Sequence, residues 1–133
     1  MMKTVAGLLL ALAMAGGAAR AQDLPADALA TIWQLQSLDG AAFAATATVE
    51  LATPGQLAGQ APCNRYGAEL LAPLPAFRPG PIWATRMACA DLRLEADFLA
   101  ALAAMTQAEL SEGPVLRLTG PDGRHMEFAP KAD

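Results

Sequence analysis

Only one stretch of this chain has the composition of a long helix, and it runs from Asp91 to Met105. The stretch contains no Gly or Pro and is rich in Leu and Ala, residues that favour helix formation. Apolar side chains recur at steps of three and four, which predicts one buried face with Glu95 on its margin. That face consists of Leu92, Glu95, Phe98, Leu99, Leu102 and Met105. We expect the helix to begin after Asp91 as N-cap and to cover one side of a sheet.

The chain around this helix alternates strand patterns with turn signals. Strands are predicted over Thr31–Leu38, Thr46–Leu51, Cys63–Leu70, Pro81–Thr85, Ala108–Ser111, Val115–Thr119 and Arg124–Ala129. The last two flank the turn sequence Gly120–Gly123 and form the clearest hairpin. Four prolines between positions 73 and 81 exclude a helix there. The pattern predicts one α+β domain on antiparallel sheet over residues 31–130, preceded by an N-terminal tail over residues 22–30.

The first 21 residues have the three regions of a signal peptide in order. Met1–Lys3 is positive, Val5–Ala15 is an unbroken apolar run, and Ala19–Ala21 offers a small-residue cleavage site. The alternative is a membrane anchor, but spanning a bilayer takes about 20 apolar residues. We therefore predict a signal peptide cleaved after Ala21, with no Cys there for lipid attachment. The predicted location is the periplasm, with secretion into the medium as the alternative.

Charge narrows the range of partners. Residues 22–133 hold seven basic and thirteen acidic side chains, so the surface repels phosphate backbones. We therefore expect no nucleic acid partner and no stable membrane insertion. For a single domain of this length we expect a monomer.

The chain has two cysteines, Cys63 and Cys89, and both lie after the predicted cleavage site. In an oxidising compartment such a pair favours a disulfide over a metal site. The bridge would close a 27-residue loop and add about 3.5 kcal/mol on the chain-entropy model. Two buried free thiols are the alternative.

Several segments together resemble one known family. They are Trp33–Leu35, Gly40, Cys63–Tyr66 (CNRY), Thr85–Cys89 (TRMAC), and the helix carrying Glu95, Phe98 and Leu102. In this order they resemble the META domain family, which includes the heat-shock protein HslJ, and the likeness extends through the last hairpin. The resemblance implies a small antiparallel, barrel-like sheet with one packed helix, and a place in the cell envelope. It also implies a loose link to stress or antibiotic tolerance and no established catalytic mechanism.

This chain departs from the family in three places: Pro62 before the first motif segment, Ala68 and Leu70 after it, and the lack of the lipid-attachment Cys of the anchored members. The motif positions that we take as a possible surface are Asn64, Arg65, Tyr66, Thr85, Arg86 and Met87.

A few side chains in and near these segments admit more than one role. The Asn64 amide is suited to fixing the turn after Cys63 by bonding backbone groups. Arg86 is either a partner for Glu95 across the seam between sheet and helix or a surface cation. Trp33 and Trp83 are either packing residues or, with Tyr66 nearby, the lining of a groove for a peptide or acyl ligand.

Catalytic patterns are weak in this sequence. A Cys–His site would need Cys63 or Cys89 beside His125, the only histidine, and a disulfide would remove the thiolate. No serine lies in a G-x-S-x-G elbow, and no C-x-x-C or H-x-x-x-H pair predicts a metal site. We therefore predict no cofactor, no metal and no enzyme activity.

Three functional hypotheses follow. The main one is an envelope-stress or antibiotic-tolerance accessory factor that binds a protein or lipid partner. The second is a secreted inhibitor of a hydrolase such as lysozyme or a protease. The third is a hydrolase that uses one of the cysteines.

Overall fold

A computed structural model describes residues 24–132, so the predicted signal peptide lies outside the described residues. Two helices, one 3₁₀ turn and nine strands follow one another in this part of the chain. In order they are α1 Ala26–Ala30, β1 Ile32–Leu38, β2 Ala41–Ala42, β3 Thr48–Glu50, β4 Gln56–Gln60, β5 Arg65–Glu69, β6 Trp83–Ala84, α2 Leu92–Ala104, β7 Gln107–Ser111, β8 Val115–Thr119, the 3₁₀ turn Pro121–Gly123, and β9 His125–Pro130.

The strands form one antiparallel sheet, which confirms the predicted α+β fold. Its hydrogen-bonded order is β6-β5-β4-β3-β1-β9-β8-β7, with β2 paired to β1 off this path. The predicted hairpin is present as β8 and β9, in register from Leu116 opposite Phe128 to Thr119 opposite His125. The β1–β2 turn has positive φ at Asp39 and Gly40, the left-handed backbone that Gly and Asp adopt more readily than other residues.

The sheet implied by the resemblance is barrel-like, and the observed sheet is not closed. Its two ends are joined by the proline-rich segment 70–80, through isolated bridges between Leu70 and Pro79 and between Ala76 and Gln107. The Ala108 N–H donates to the Pro75 carbonyl at 2.7 Å. The Phe77 N–H returns a bond to the Thr106 carbonyl at 2.8 Å. The prolines on either side have no N–H to extend this pairing, so the contact stays an isolated bridge.

The core lies between the inner face of the sheet and α2. Alternate strand residues point inward, among them Trp33, Leu35, Leu57, Leu118 and Phe128. From α2 the buried residues are Glu95, Phe98, Ala101 and Leu102. The predicted helix is confirmed, but two details differ. The Asp91 side chain makes no capping hydrogen bond, and Leu92 is exposed rather than part of the buried face.

Three elements were not predicted from the sequence: α1, β4 and the two-residue strand β2. The tail predicted over residues 22–30 contains the short helix α1, whose Ala28 is buried and accepts a hydrogen bond from the Trp33 indole at 2.9 Å. Strand β4 carries a single large apolar residue, Leu57, and a glycine, Gly59, that weakens strand propensity. Gly59 is required because a Cβ there would collide with the Thr48 carbonyl.

Candidate functional site

The two motif segments meet at a disulfide. Cys63 and Cys89 are bonded, with their Cα atoms 5.8 Å apart and a sequence separation of 26 residues. This confirms the predicted bridge, and none of the cysteines in the described part of the chain is free. Cys89 is exposed and Cys63 is half-buried. With both sulfurs bonded, neither is a thiolate nucleophile.

Asn64, next to the bridge, fastens the second motif segment to the first. Its side-chain N–H₂ donates to the Met87 carbonyl at 3.0 Å and to the Glu95 carboxylate at 2.7 Å. Its side-chain oxygen accepts from the Met87 N–H at 2.6 Å and from the Thr85 hydroxyl at 2.9 Å. All four hydrogen-bonding positions of the amide are therefore used. Asn64 is 3% exposed, so it fixes this turn from inside and is not part of a surface.

Glu95 holds the first motif segment from the helix side. One carboxylate oxygen accepts the backbone N–H groups of Cys63 and Asn64 at 3.0 and 2.8 Å, and the other accepts the Asn64 side chain. Glu95 is 6% exposed, which places it inside the helix–sheet interface rather than on its margin. Of the two alternatives for Arg86, the pair with Glu95 does not form, because the salt bridges of residues 24–132 join Arg117 to Glu127 and Arg124 to Asp39. Arg86 is exposed, as a surface cation would be. Because this buried carboxylate receives three N–H donors from the Cys63–Asn64 turn, its role is to position that loop.

Tyr66, two residues after Asn64, is buried in the core. Its hydroxyl donates to the Thr48 carbonyl at 2.6 Å, and its ring meets Phe98 edge-on at 5.5 Å between centroids. Burial raises the pKa of the Tyr66 hydroxyl above its ordinary value. Tyr66 is therefore a core residue, and the expectation that it lies on a surface is wrong.

Residues 85–92 form an exposed segment that we call the arm. Thr85, Arg86 and Met87 are all exposed, and Met87 has 67% of its surface accessible. Leu92, at the junction with α2, is exposed as well. The arm is thus held at Met87, at Cys89 and at Thr85, while its side chains face solvent.

The two tryptophans have different fates. Trp33 is 1% exposed and belongs to the core, so it lines no groove. Trp83 is 55% exposed on the outer face of the sheet. The structure does not bring the two side chains to one site.

A cleft that the sequence did not suggest lies at one end of the sheet. Its volume is about 470 Å³, and its apolar lining includes Leu29, Leu51, Leu70, Leu71 and Leu74. The leucines around the proline-rich segment were the available signal, but they contact one another only after the chain has folded.

Other chemistry is not assembled in the described residues. His125 lies on β9, and its Nδ1 is 3.0 Å from the Gly123 carbonyl. Ser111 donates to the Val115 carbonyl. No three of the His, Cys, Asp and Glu side chains between 24 and 132 are grouped as metal ligands. No helix in that range is long and apolar enough to cross a membrane.

Comparison with known proteins gives a family and two similar structures. The family model described as META domain matches residues 26–133. An NMR structure of a protein from Burkholderia xenovorans is similar with TM-score 0.60 and 23% identity, covering 84% of this chain and 92% of that one. A second NMR structure is similar with TM-score 0.60 and 16% identity, covering 80% and 95%. At these identities the two structures support the fold alone. No curated protein matches the chain.

Proposed function

The chain belongs to the META domain family, and we propose that it is an exported, non-enzymatic binding domain that docks a partner protein in the cell envelope through the arm. In this proposal it serves there as an accessory factor in stress or antibiotic tolerance. One observation carries the proposal: Asn64 and Glu95 are buried and hydrogen-bonded to one another, whereas the arm that Asn64 holds is exposed. Residues arranged in this way preorganise a surface.

The arm has the composition of a contact surface. Met87 and Leu92 expose apolar area, and exposed apolar groups rimmed by polar ones mark interaction sites. Arg86 and Arg93 lie beside them, exposed and without an ion-pair partner within residues 24–132. This local positive charge in an acidic chain favours a partner whose surface is acidic with an apolar centre.

Pre-ordering of the arm supports binding energetically. Ordering a loop on association costs free energy, and a loop already fixed by a disulfide and side-chain hydrogen bonds avoids much of that cost. Here the Cys63–Cys89 bridge and the Asn64 contacts fix the backbone before any partner arrives.

Export is part of the same proposal. The pattern of residues 1–21 supports cleavage after Ala21 and a periplasmic location. The Cys63–Cys89 disulfide supports the same location, because disulfides form and persist in oxidising compartments. The alternative location is the medium, into which the chain would be secreted. We propose residues 31–130 as the META-like domain.

Site-specific photo-crosslinking tests the docking proposal. A crosslinking residue at Met87 should capture one defined envelope protein in living cells, and capture should fall when Arg86→Glu is added. The matched control position is Glu112, which is exposed on the β7–β8 turn. Equal capture from both positions would contradict the proposal. Binding of the purified chain to anionic vesicles, lost in Met87→Asp, would instead assign the arm to a lipid partner.

A second candidate function is inhibition of a secreted hydrolase such as lysozyme or a protease. The specific observation is Arg86, an exposed basic side chain inside a disulfide-held loop, which suits a protease that cleaves after Arg. Rates of lysozyme and trypsin measured with excess purified chain separate the two functions. Slowed trypsin with wild type and full activity with Arg86→Ala would favour inhibition, and unchanged rates for both enzymes would remove it.

A further inference from the structure

A second surface lies on the outer face of the sheet around Trp83, next to the arm, because the backbone N–H of Arg65 donates to the Thr85 hydroxyl at 3.2 Å. Because Tyr66, Ala68 and Leu57 point into the core, the alternate residues of β4 and β5 face outward. Register places Glu50, Ala58, Gly67 and Trp83 in one row across four neighbouring strands. Gln60 and Arg65 form the adjacent pair on the same face. The small side chain of Ala58 leaves a depression between Glu50 and Trp83.

The indole of Trp83 lies flat on this face. A Cβ added at Gly67 would be 2.7–2.8 Å from three neighbouring atoms of the indole, Cζ2, Cε2 and Nε1. Nearly equal distances to three adjacent ring atoms place that point to one side of the ring plane rather than in it. One face of the ring therefore covers Gly67, and the other is turned to solvent. Gly67 is buried under the ring, while Trp83 remains 55% exposed.

The polar side chains beside the ring are available to a ligand. Glu50, Gln60 and Arg65 line a cleft of about 200 Å³ with Trp83 and Ala58. Within residues 24–132 these three side chains, and the Trp83 indole N–H, have no hydrogen-bond or ion-pair partner. A cleft of this size is below the ~300–1,000 Å³ of sites for drug-sized molecules, so it suits one ring of a larger chain.

These features fit a neutral sugar better than other ligands. The C–H groups on one face of a pyranose pack on the negative face of an aromatic ring. A carboxylate accepts, and a guanidinium donates, paired hydrogen bonds of the kind that adjacent hydroxyls offer. Glu50 and Arg65 balance in charge, and this balance matches an uncharged ligand and disfavours a phosphate-rich one. We propose that the outer-face cleft binds a pyranose ring of a neutral oligosaccharide, with the sugar stacked on Trp83 and hydrogen-bonded by Glu50, Gln60 and Arg65.

Titration with three neutral trisaccharides, maltotriose, cellotriose and N,N′,N″-triacetylchitotriose, tests this site. Because Trp33 is buried, a change in tryptophan fluorescence on binding reports on Trp83, and NMR should show shifts at the Trp83 indole N–H and around Arg65. We expect at least one trisaccharide to bind at millimolar concentration or below. Trp83→Ala and Arg65→Ala should each weaken that binding at least tenfold.

Two further variants test whether sugar binding depends on the position of the Trp83 indole. Gly67→Ala keeps the indole but forces it off the sheet, so it should also weaken binding. Leu92→Ala, on the arm, should leave sugar affinity unchanged and serves as the matched control for loss of an exposed apolar side chain. No binding of any of the three trisaccharides by the folded wild-type chain would overturn the proposal, and so would equal affinity in wild type and Trp83→Ala. The site uses no residue of the arm, so failure here leaves the docking proposal standing, and the reverse also holds.

Discussion

At the scale of single residues, the most informative feature is how the buried charge of Glu95 is satisfied. A buried carboxylate is costly unless hydrogen bonds replace its hydration. Here the donors are two backbone N–H groups and the Asn64 amide rather than an arginine. Each donor belongs to the first motif segment, so the carboxylate fixes that segment to α2.

Replacing Glu95 by Gln tests this contact. The new NH₂ group would face the N–H donors that the carboxylate now accepts, leaving at least one buried donor without a partner. We expect a loss of about 1–3 kcal/mol in the free energy of unfolding, measured by urea denaturation. Asp97→Asn, exposed on the same helix, is the matched control and should change stability by no more than about 0.5 kcal/mol. Equal effects of the two substitutions would contradict the role given to Glu95.

The close packing around Gly59 predicts that a larger residue there lowers thermal stability. A methyl group there would collide with the Thr48 carbonyl and the Tyr66 hydroxyl, and overpacking of this kind costs about 1–3 kcal/mol. Gly59→Ala should therefore lower the midpoint of thermal unfolding. Gly80→Ala is the control, because its nearest neighbour would be the end of the Leu71 side chain at 3.4 Å. A Gly59→Ala variant as stable as the Gly80→Ala variant would refute the close approach.

Asp39 gives a prediction about pH. Its carboxylate accepts the His125 N–H at 3.0 Å and bonds Arg124 at 3.1 Å, and these contacts lower its pKa below the ordinary 3.8. The stabilisation is therefore complete well above pH 3.8 and is lost as the pH falls through the lowered pKa. Asp39→Asn, which suits the positive φ at this position and carries no charge, should reduce the melting temperature at pH 7, and the difference from wild type should shrink below about pH 3. A difference in melting temperature that does not change with pH would contradict the role given to the Asp39 carboxylate. The same pH profile of melting temperature in Glu112→Ala, an exposed turn variant, would contradict it as well.

At the scale of elements, the arm is ordered by contacts distant in sequence. Asn64 bonds both the N–H and the carbonyl of Met87, 23 positions away. In this way a segment with exposed side chains and no regular structure from 85 to 89 still has a fixed backbone.

Asn64→Ala should loosen the arm without unfolding the sheet. We expect faster tryptic cleavage after Arg86 in the variant, because cleavage requires local opening. Gln56→Ala, an exposed change on β4, should leave the cleavage rate at the wild-type value. Unchanged cleavage after Arg86 in Asn64→Ala would show that the disulfide alone holds the arm.

Element by element, sequence reasoning succeeded where local pattern decides structure. The helix over 92–104 and the hairpin of β8 and β9 follow from periodicity and turn residues near one another in the chain. Strand β4 was not predicted because glycine has a low strand propensity. Gly59 stands there because the Thr48 carbonyl leaves no room for a Cβ atom, and this contact is not visible in the sequence. The Glu95 contacts were missed because an acid near the edge of an apolar helical face is normally solvated, and only the folded loop supplies its donors.

For the molecule as a whole, the disulfide joins two segments that the sheet alone connects weakly. Strand β6 has only two residues, and beyond it the chain runs as the arm. Cross-linking at Cys63 and Cys89 confines the 27-residue loop in the unfolded state, which is the main origin of disulfide stabilisation in the chain-entropy model.

Removing the bridge should destabilise the chain but leave it folded. The Cys63→Ala/Cys89→Ala double variant should lose about 3.5 kcal/mol of unfolding free energy, measured by urea denaturation. Its circular dichroism should stay close to wild type, since the Glu95 and Asn64 contacts remain. Identical midpoints for variant and wild type, or alkylation of the native chain without reductant, would contradict this part of the account.

The central claim is that the buried residues Asn64 and Glu95 form a scaffold that holds the arm, and amide hydrogen exchange tests it most directly. The N–H groups of Asn64 and Met87 lie outside helices and strands, yet each is bonded to a buried side chain. We predict that both exchange nearly as slowly as Leu118 in the core of β8. Exchange of either N–H at the rate of an unstructured peptide would contradict the claim.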